Sequence, residues 1–335
     1  MHKTRYVIPG LAFSIVAERE GLGGPIFPQL ADFQQPEGPV QHEILIREAP
    51  ADDILTEGER IWSGTLVDGL YGEISQDGPR QQFRVPGQLS IVETAGEPRT
   101  EVRVAPAAER PFQSMAGAVL FDMMLRGHGL LTIHSASLRM RDREELLLLF
   151  APSGFGKTTT SLALALGGYG HMGDDAVILR QEKGQLVGWS MPRTLKVQRR
   201  TAAMFPQIQP HLGDFDGEED EAPLTRTALA RLMPLPDASR SYPIGAVVVV
   251  GPRSEGEAKL ARLGKADALS IILTDNIGLL GGGVPRAQQE LFRFLSRLVS
   301  ATPTFRLDAG SRPEAIAPAF DKALGIVHEA EAAAG

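Results

Sequence analysis

The sequence predicts an α/β protein in which a β-rich N-terminal lobe, residues 1–108, precedes a mixed-sheet domain, residues 109–335. Two patterns predict this division. Polar and apolar residues alternate in "HEILIRE" and "TEVRVAP" of the first part, as they do in half-buried antiparallel strands. In the second part, continuous apolar runs such as "LLLLF" and "VVVV" are separated by helical patterns, which is typical of strands buried on both faces.

The composition is that of an ordinary globular chain, and it excludes several classes of function. The 335 residues include no cysteine, which rules out a disulfide scaffold and thiolate metal sites. Lysine plus arginine number 34 and aspartate plus glutamate 41, and the net charge of -7 disfavours non-specific nucleic-acid binding. The apolar N-terminal run is broken by Pro9 and closed by Glu18, without the cleavage site of a signal peptide. We therefore expect a cytoplasmic protein that binds neither nucleic acid nor a membrane.

A helix is predicted after the β-rich lobe, in "PFQSMAGAVLFDMMLRGHG". Met115, Val119 and Met123 share an apolar face, and Gly127 and Gly129 provide a stop. The methionines are expected to fill the core of the protein. A second amphipathic helix is predicted in "RAQQELFRFLSRLVS".

The segment "APSGFGKTTT", residues 151–160, carries the most specific motif. In the phosphate-loop pattern G-x-x-x-x-G-K-[ST], inward-facing backbone N–H groups and a helix N-terminus bind phosphate. Ala151 replaces the first glycine, and a methyl group fits there if φ stays negative. A buried strand before the loop and a helix over Lys157–Leu166 complete the expected context. The predicted nucleotide-binding residues are Ser153, Gly154, Phe155, Gly156, Lys157, Thr158 and Thr159.

An aspartate pair follows the loop in "GDDAVIL", at the mouth of a predicted strand. Taken alone, such a pair is as often a turn as a site. Beside the loop, one carboxylate would bind Mg²⁺ with the Thr158 hydroxyl, and the other would accept a proton from an acceptor hydroxyl. The residue types alone leave open which of Asp174 and Asp175 binds the metal and which is the base.

The stretch from His134 to about Leu179 resembles the catalytic core of HPr kinase/phosphorylase, which shares its fold with ATP-dependent phosphoenolpyruvate carboxykinases. The resemblance rests on "IHSASL", on the loop and on "GYGHMGDDAVIL". It implies ATP and Mg²⁺ as cofactors, and catalytic roles for Lys157, Asp175 and His134. In the family's aspartate pair the second residue is the base, which implies that Asp175 is the base and that Asp174 binds the metal with Thr158. In that family the matching histidine lies on the strand before the loop, close to the phosphates.

The segment "SMPRTLK" is similar to the "P-R-P-x-S-L-K" stretch of shorter HPr-kinase-like proteins. Arg193 and Lys196 of this segment are candidates to steady the nucleotide or the transferring phosphoryl group. The alternative is a basic pair on a surface loop. Arg193 is the residue that we include among the nucleotide-binding predictions.

Two departures change the substrate that the resemblance implies. The "E-I-R-G-x-G" signature of true HPr kinase/phosphorylases is absent, and the β-rich lobe differs from their regulatory domain. The chain is therefore more similar to HPr-kinase-like proteins encoded with ribosomally made peptides, including lasso-peptide kinases, which phosphorylate the C-terminal serine of a precursor.

The resulting prediction is an ATP-dependent kinase for a serine hydroxyl of a peptide or small protein. The lobe would be a docking or a structural element, and the family resemblance suggests a homo-oligomer. The alternatives are a kinase for free serine or another small metabolite, and a non-catalytic module that senses ATP.

Two other segments invite interpretation. The acidic segment "LGDFDGEEDEAP" is expected to be a solvated loop and not a metal site. The glycines of "GLLGGGVPRAQ" are expected to form a helix entry and not a second anion site.

Overall fold

The computed structural model describes residues 1–19, 21–22, 28–50, 57–66, 69–108, 112, 115–217, 220–276 and 285–325. These residues form a mixed α/β structure, as predicted. The described residues within Met1–Thr132 and Ile277–Leu291 form one compact unit, and those within Ile133–Asn276 and Phe292–Gly335 form a second. The division into functional domains at residue 108 stays a prediction. The predicted glycine turn at 281–283 lies outside the described residues, as do positions 218 and 219 of the acidic segment.

The first unit contains a nine-stranded sheet with the order β3-β1-β2-β4-β9-β8-β7-β6-β5. Its strands are β1 (His2–Ile8), β2 (Leu11–Ala17), β3 (Gln34–Gln35), β4 (His42–Glu48), β5 (Glu59–Thr65), β6 (Tyr71–Asp77), β7 (Arg80–Val85), β8 (Leu89–Thr94) and β9 (Arg99–Val104). The β-rich character is confirmed, but the purely antiparallel pattern is wrong. Strand β4 runs parallel to both β2 and β9, because the long connections before and after it allow a crossover.

Helix α1 (Met115–Gly127) follows this sheet along the chain. The ring of Phe121 lies 6.4 Å from that of Phe13 in β2, so the helix packs on the sheet of its own unit. Met123 and Met124 are buried, in agreement with the predicted core role. Leu125 closes the last turn through its carbonyl, which accepts from the backbone N–H of His128.

The second unit is built on a mixed sheet, as predicted. Along the chain, its strands after β10 (Leu131–Ile133) are β11 (Ala136–Arg139), β12 (Leu146–Phe150), β13 (Gly170–Gly173), β14 (Val177–Glu182), β15 (Gln185–Trp189), β16 (Leu195–Gln198), β17 (Glu221–Leu224), β18 (Tyr242–Val250), β19 (Lys259–Arg262) and β20 (Thr304–Asp308). Six of them lie in the order β14-β15-β18-β12-β11-β13. Strand β18 is parallel to β12 and β20, whereas β11 is antiparallel to β12.

The remaining helices are α2 (Lys157–Leu166), α3 (Arg199–Ala202), α4 (Arg226–Leu232), α5 (Lys265–Asn276), α6 (Pro285–Ala301) and α7 (Ile316–Leu324). Helix α2 has the bounds that the sequence predicts, because Gly156 and Gly167 flank an uninterrupted helical pattern. Within the described part of the chain, no helix is both long and apolar enough to span a bilayer.

Strand β12 anchors the segment that the sequence singles out. All five of its residues have no solvent exposure, as expected for a central strand between β11 and β18. Leu162 and Leu164 of α2 are equally buried and belong to the same hydrophobic core. At roughly 1.5–3 kcal/mol for each fully buried leucine, this packing fixes both ends of the connection between β12 and α2.

Candidate functional site

The connection between β12 and α2, residues 151–156, is called the glycine loop below. Gly154 and Gly156 have φ values of 81° and 94°, a left-handed conformation that glycine adopts without strain. No side chain caps the N-terminus of the ten-residue helix α2, so its first N–H groups are open to an anion. Ala151 is buried and its φ is not positive, which explains why alanine fits at this position.

Lys157, the first residue of α2, is held by His134. The lysine Nζ lies 2.6 Å from His134 Nε2, and His134 Nδ1 lies 2.9 Å from the carbonyl oxygen of Asp175. Because Lys157 can only donate and the carbonyl can only accept, one neutral tautomer satisfies both contacts, the one with the proton on Nδ1. His134 therefore orients the lysine.

The backbone around His134 is also fixed. Its N–H donates to Asn276 Oδ1 at 2.7 Å, and Asn276 Nδ2 donates to the carbonyl of Ile272 at 2.9 Å. His134 lies in the two-residue break between β10 and β11, and not within a strand as expected. The break leaves its N–H free for the asparagine, which comes from the last turn of α5.

Burial and charge act in opposite directions on Lys157. Burial lowers the pKa of the Lys157 ammonium from its ordinary value, and this effect outweighs three nearby carboxylates, those of Asp174, Asp175 and Asp275. A polyphosphate in contact with the ammonium would add the negative charge that favours its protonated form.

Thr158 and Asp174 form the second pair. The Thr158 hydroxyl donates to Asp174 Oδ2 at 2.7 Å, and Asp174 Oδ1 is buried without a partner. Burial raises the pKa of Asp174 to about 6, the charge of Asp175 adds to the shift, and the Thr158 hydrogen bond and Lys157 oppose it. Such a carboxylate gains from a cation next to its free oxygen.

The donor set at this pair fits Mg²⁺ only in part. Among the described residues, no group of three or more His, Cys, Asp or Glu side chains could hold a metal ion. One hydroxyl and one carboxylate are nevertheless the partial oxygen set from which Mg²⁺ is bound when substrate phosphates and waters complete the shell. Thr158 and Asp174 therefore fit this ion together with a phosphate ligand.

Two openings meet at these residues. The larger cleft, of about 610 Å³, contains most of the predicted set. Its predicted members are His134, Ser153, Gly154, Phe155, Gly156, Lys157, Thr158, Thr159 and Asp175. The smaller pocket, of about 190 Å³, contains Asp174 and Arg193. Thr158, Asp175, Lys196 and Glu221 line both, so the two openings share one boundary.

Arg193 and Lys196, the two basic residues of the SMPRTLK segment, have different surroundings. Arg193 is exposed and lines the smaller pocket, but it is not among the residues that line the larger cleft. Lys196 in β16 forms an ion pair with Glu221 at 3.6 Å. The structure therefore brings Arg193 next to the aspartates, while its predicted contact with nucleotide stays a prediction.

Sequence reasoning missed several polar residues of this region. Asp275 lines the larger cleft, and its Oδ2 is buried without a partner. His171 lines the smaller pocket with a buried, unpartnered Nε2. Thr201 lies 3.2 Å from Thr159 Oγ1, oxygen to oxygen. Their positions depend on tertiary contacts, and the nearest available signal was the histidine three positions before the aspartate pair.

Comparisons with known proteins give little beyond this geometry. No model of a known protein family matches the chain, and no curated protein matches it. Among solved structures, it is similar to an Hpr(Ser) kinase/phosphatase from Coxiella burnetii, at 17% identity and a TM-score of 0.24. The match covers 39% of this chain and 77% of the other. A likeness of this size defines neither the fold nor the activity of the chain.

Proposed function

We propose that the chain is a Mg²⁺- and ATP-dependent kinase that phosphorylates a serine hydroxyl of a peptide or small protein, on a phosphate-loop core of the HPr kinase type. One observation carries the proposal. The uncapped N-terminus of α2, Lys157, Thr158 and Asp175 line one cleft, and Thr158 donates a hydrogen bond to Asp174, which lines the adjoining smaller pocket.

The larger cleft suits a nucleotide in size and in charge. Its volume of about 610 Å³ falls within the range of roughly 300–1,000 Å³ that is usual for small-molecule sites. In the proposed complex, the N–H groups of the glycine loop and the start of α2 bind phosphate oxygens, and Lys157 neutralises the terminal phosphates. His134 keeps the lysine ammonium at the loop.

The chemistry is an in-line phosphoryl transfer. The acceptor hydroxyl oxygen forms a bond to the γ-phosphorus as the bond from that phosphorus to the β,γ-bridging oxygen breaks, and ADP leaves. Asp175, which is exposed and lines both openings, accepts the hydroxyl proton. Thr158 and Asp174 would hold Mg²⁺, which supplies charge neutralisation at the phosphates. His134 in its Nδ1–H tautomer orients Lys157 and does not take the proton.

A peptide acceptor would also need a docking surface outside the cleft. The strands of residues 1–108 offer backbone edges to which an extended peptide can add. We propose this lobe as the docking region for a peptide that ends in serine or carries one. A free serine or similar metabolite is the alternative acceptor, and an ATP sensor without transfer is the alternative function.

The test is transfer of radiolabelled phosphate from ATP to serine peptides and to free serine, with Asp175→Asn as the informative variant. We expect transfer to fall by at least about 100-fold, while ATP affinity measured by calorimetry stays within about threefold, since Asp175 is exposed and is not the assigned metal ligand. Asp267→Asn, at an exposed position of α5, is the matched control.

The alternatives give different results in the same experiment. Label in free serine with untouched peptides would identify a metabolite kinase. ATP binding without transfer to any acceptor, unchanged by Asp175→Asn, would identify a sensor. Failure of the wild type to bind ATP would overturn the nucleotide site itself.

A further inference from the structure

Two residues of the smaller pocket carry a buried polar atom without a partner. His171 and Asp174 both line the pocket, and neither His171 Nε2 nor Asp174 Oδ1 has a hydrogen bond. A buried polar atom that lacks a partner costs about 1–3 kcal/mol, so such atoms are usually completed by water, an ion or a ligand. Asp174 has an assigned cation, but His171 has no place in the transfer reaction.

His171 is rigidly placed. It is only 5% exposed and belongs to β13, where it pairs with Leu138 of β11. Its backbone N–H donates to the carbonyl of Pro234 at 3.0 Å. Burial lowers the pKa of His171 to about 4, and the charge of Arg226 adds to the shift. The ring is therefore neutral near pH 7, so Nε2 can complete one hydrogen bond with a ligand.

Arg193 gives the pocket its available positive charge. No ion pair or hydrogen bond joins its side chain to another described residue, whereas Lys196 is paired with Glu221. The carboxylates of Asp174 and Asp175 repel an anion at their end of the pocket, and the carboxylate of Glu221, which also lines it, is paired with Lys196. A guanidinium can bind a carboxylate through two parallel hydrogen bonds, and it would hold the anionic end of a ligand away from them.

The volume limits what enters. The smaller pocket, at about 190 Å³, is below the roughly 300–1,000 Å³ that is usual for sites of drug-sized ligands. It therefore suits a group smaller than a nucleotide. Thr158 and Asp175 line both openings, so a group in the smaller pocket would face the phosphates of a nucleotide in the larger cleft.

Resting on the kinase function proposed above, we propose that the smaller pocket is the acceptor subsite and that it selects a hydroxyl group flanked by a carboxylate. Arg193 binds the carboxylate, His171 Nε2 makes one hydrogen bond to the acceptor, and the hydroxyl faces Asp175. Two sources present this chemistry: the C-terminal serine of a peptide and free serine. Arg193 then determines acceptor specificity and does not bind nucleotide.

The experiment compares a peptide ending in a serine acid, the same peptide ending in serine amide, and free serine. Transfer is measured as kcat/KM, and binding is measured separately by calorimetry with a non-hydrolysable ATP analogue present. For the wild type, we expect the acid to exceed the amide by at least tenfold in both measurements. Comparing the acid peptide with free serine identifies the source.

Substitutions of Arg193 and His171 test the role proposed for each residue. Arg193→Gln should remove the preference for acid over amide and leave the KM for ATP within about twofold, whereas Arg231→Gln, at an exposed position of α4, should change neither. His171→Leu should raise the acceptor KM about tenfold, and His171→Gln should recover part of it. A purely structural His171 would instead lower thermal stability and affect ATP and acceptor equally.

Two results overturn the proposal. One is equal use of acid and amide by the wild type, which leaves the kinase intact. The other is an Arg193→Gln variant that raises the KM for ATP and keeps the preference for the acid peptide. That result would show that Arg193 binds the nucleotide and not the acceptor. If the acid peptide binds through Arg193 but no acceptor is phosphorylated, the kinase function fails and the carboxylate subsite stands.

Discussion

Lys157 and His134 are joined by a contact of 2.6 Å between Nζ and Nε2, and this contact connects three separate segments of the second unit. The lysine starts α2, the histidine lies before β11, and the histidine's other nitrogen lies against the carbonyl of Asp175. Asn276 of α5 fixes the histidine backbone. The position of the ammonium at the glycine loop therefore depends on the aspartate turn and on α5.

We predict that His134→Ala weakens ATP binding and transfer by about tenfold, the loss of roughly one hydrogen bond to a charged group, and that His134→Gln retains part of both. Calorimetry with ATP and the transfer assay provide the two numbers. A ¹⁵N NMR spectrum of the wild type should show the proton of the His134 ring on Nδ1 and an unprotonated Nε2 that accepts from Lys157.

The matched control for this substitution is His2→Ala, at an exposed position of β1, which should leave all three measurements unchanged. A His134→Ala variant with wild-type ATP affinity would show that the lysine holds its place without the imidazole. A proton on Nε2 of His134 would contradict the assigned tautomer.

Gly156→Ala tests whether the glycine loop needs its left-handed backbone. The φ of Gly156 is 94°, and an added Cβ would meet nothing closer than Thr159 Cβ at 3.9 Å, so the cost comes from the backbone alone. We expect a loss of about 1–2 kcal/mol in stability and a clear loss of ATP affinity, since the N–H groups of the loop would turn. Thermal unfolding and calorimetry measure the two effects.

Gly256→Ala is the control for the loop, because its φ lies outside the left-handed region and its nearest atom, Ser254 Oγ, is 3.8 Å away. It should be neutral, and Ala151→Gly should preserve ATP binding as well. Undiminished ATP affinity in Gly156→Ala would rule out the loop as the phosphate site.

A buried cluster in the first unit predicts a pH dependence of stability. Burial raises the pKa of Glu93 from 4.5 to about 7, opposed by Arg126 and assisted by Asp122. Burial lowers the pKa of His42 from 6.5 to about 4, and His128 adds to the shift. As the pH rises from about 4.5 to 7, the free energy of unfolding therefore falls, because Glu93 loses its proton in the folded state at a higher pH than in the unfolded state. As the pH rises from about 4 to 6.5, His42 has the opposite effect, because the unfolded state binds the proton more tightly.

Glu93→Gln should remove the first of these opposing effects. We expect the variant to be more stable than the wild type at pH 8, by on the order of 2 kcal/mol, with little difference at pH 4.5. Hydrogen exchange of the α1 and β8 amides, compared between the two proteins at each pH, reports on this unit by itself. Glu97→Gln, at an exposed turn, is the control, and an equal gain at both pH values would exclude titration of Glu93 as the cause.

Local sequence signals were sufficient for the scaffold around the loop. The leucine run gave β12, and the glycines on either side of α2 gave its bounds, because both depend on neighbouring residues only. The parallel pairing of β4 was not predictable in the same way. An alternating pattern identifies a strand with one buried face, but its partners depend on connections that cross the sheet.

The residues of the candidate site likewise differ in how far the sequence predicts them. The loop and the aspartate pair carry sequence motifs, and His134 was indicated by family resemblance. Asn276 and Asp275 end a helix more than one hundred positions after the loop, and His171 is a single histidine in a strand. Each becomes noticeable only when the fold brings it to a cleft with its polar atoms bonded or unsatisfied.

Asp174→Asn should make the protein more stable and less active. Its carboxylate is buried with one oxygen unpartnered, and burial raises its pKa to about 6, so the charge is a cost to the folded state that an amide avoids. The Thr158 hydroxyl can still donate to the amide oxygen. We expect the free energy of unfolding, measured by thermal unfolding without nucleotide or magnesium, to rise by about 1 kcal/mol, and transfer to fall by at least about 100-fold.

Asp175→Asn, which removes an exposed carboxylate, should lose transfer without the gain in stability. If Asp174→Asn proves less stable than the wild type at pH 8, the carboxylate stabilises the turn. That result would exclude the idea that Asp174 lowers the stability of the fold in order to bind a metal.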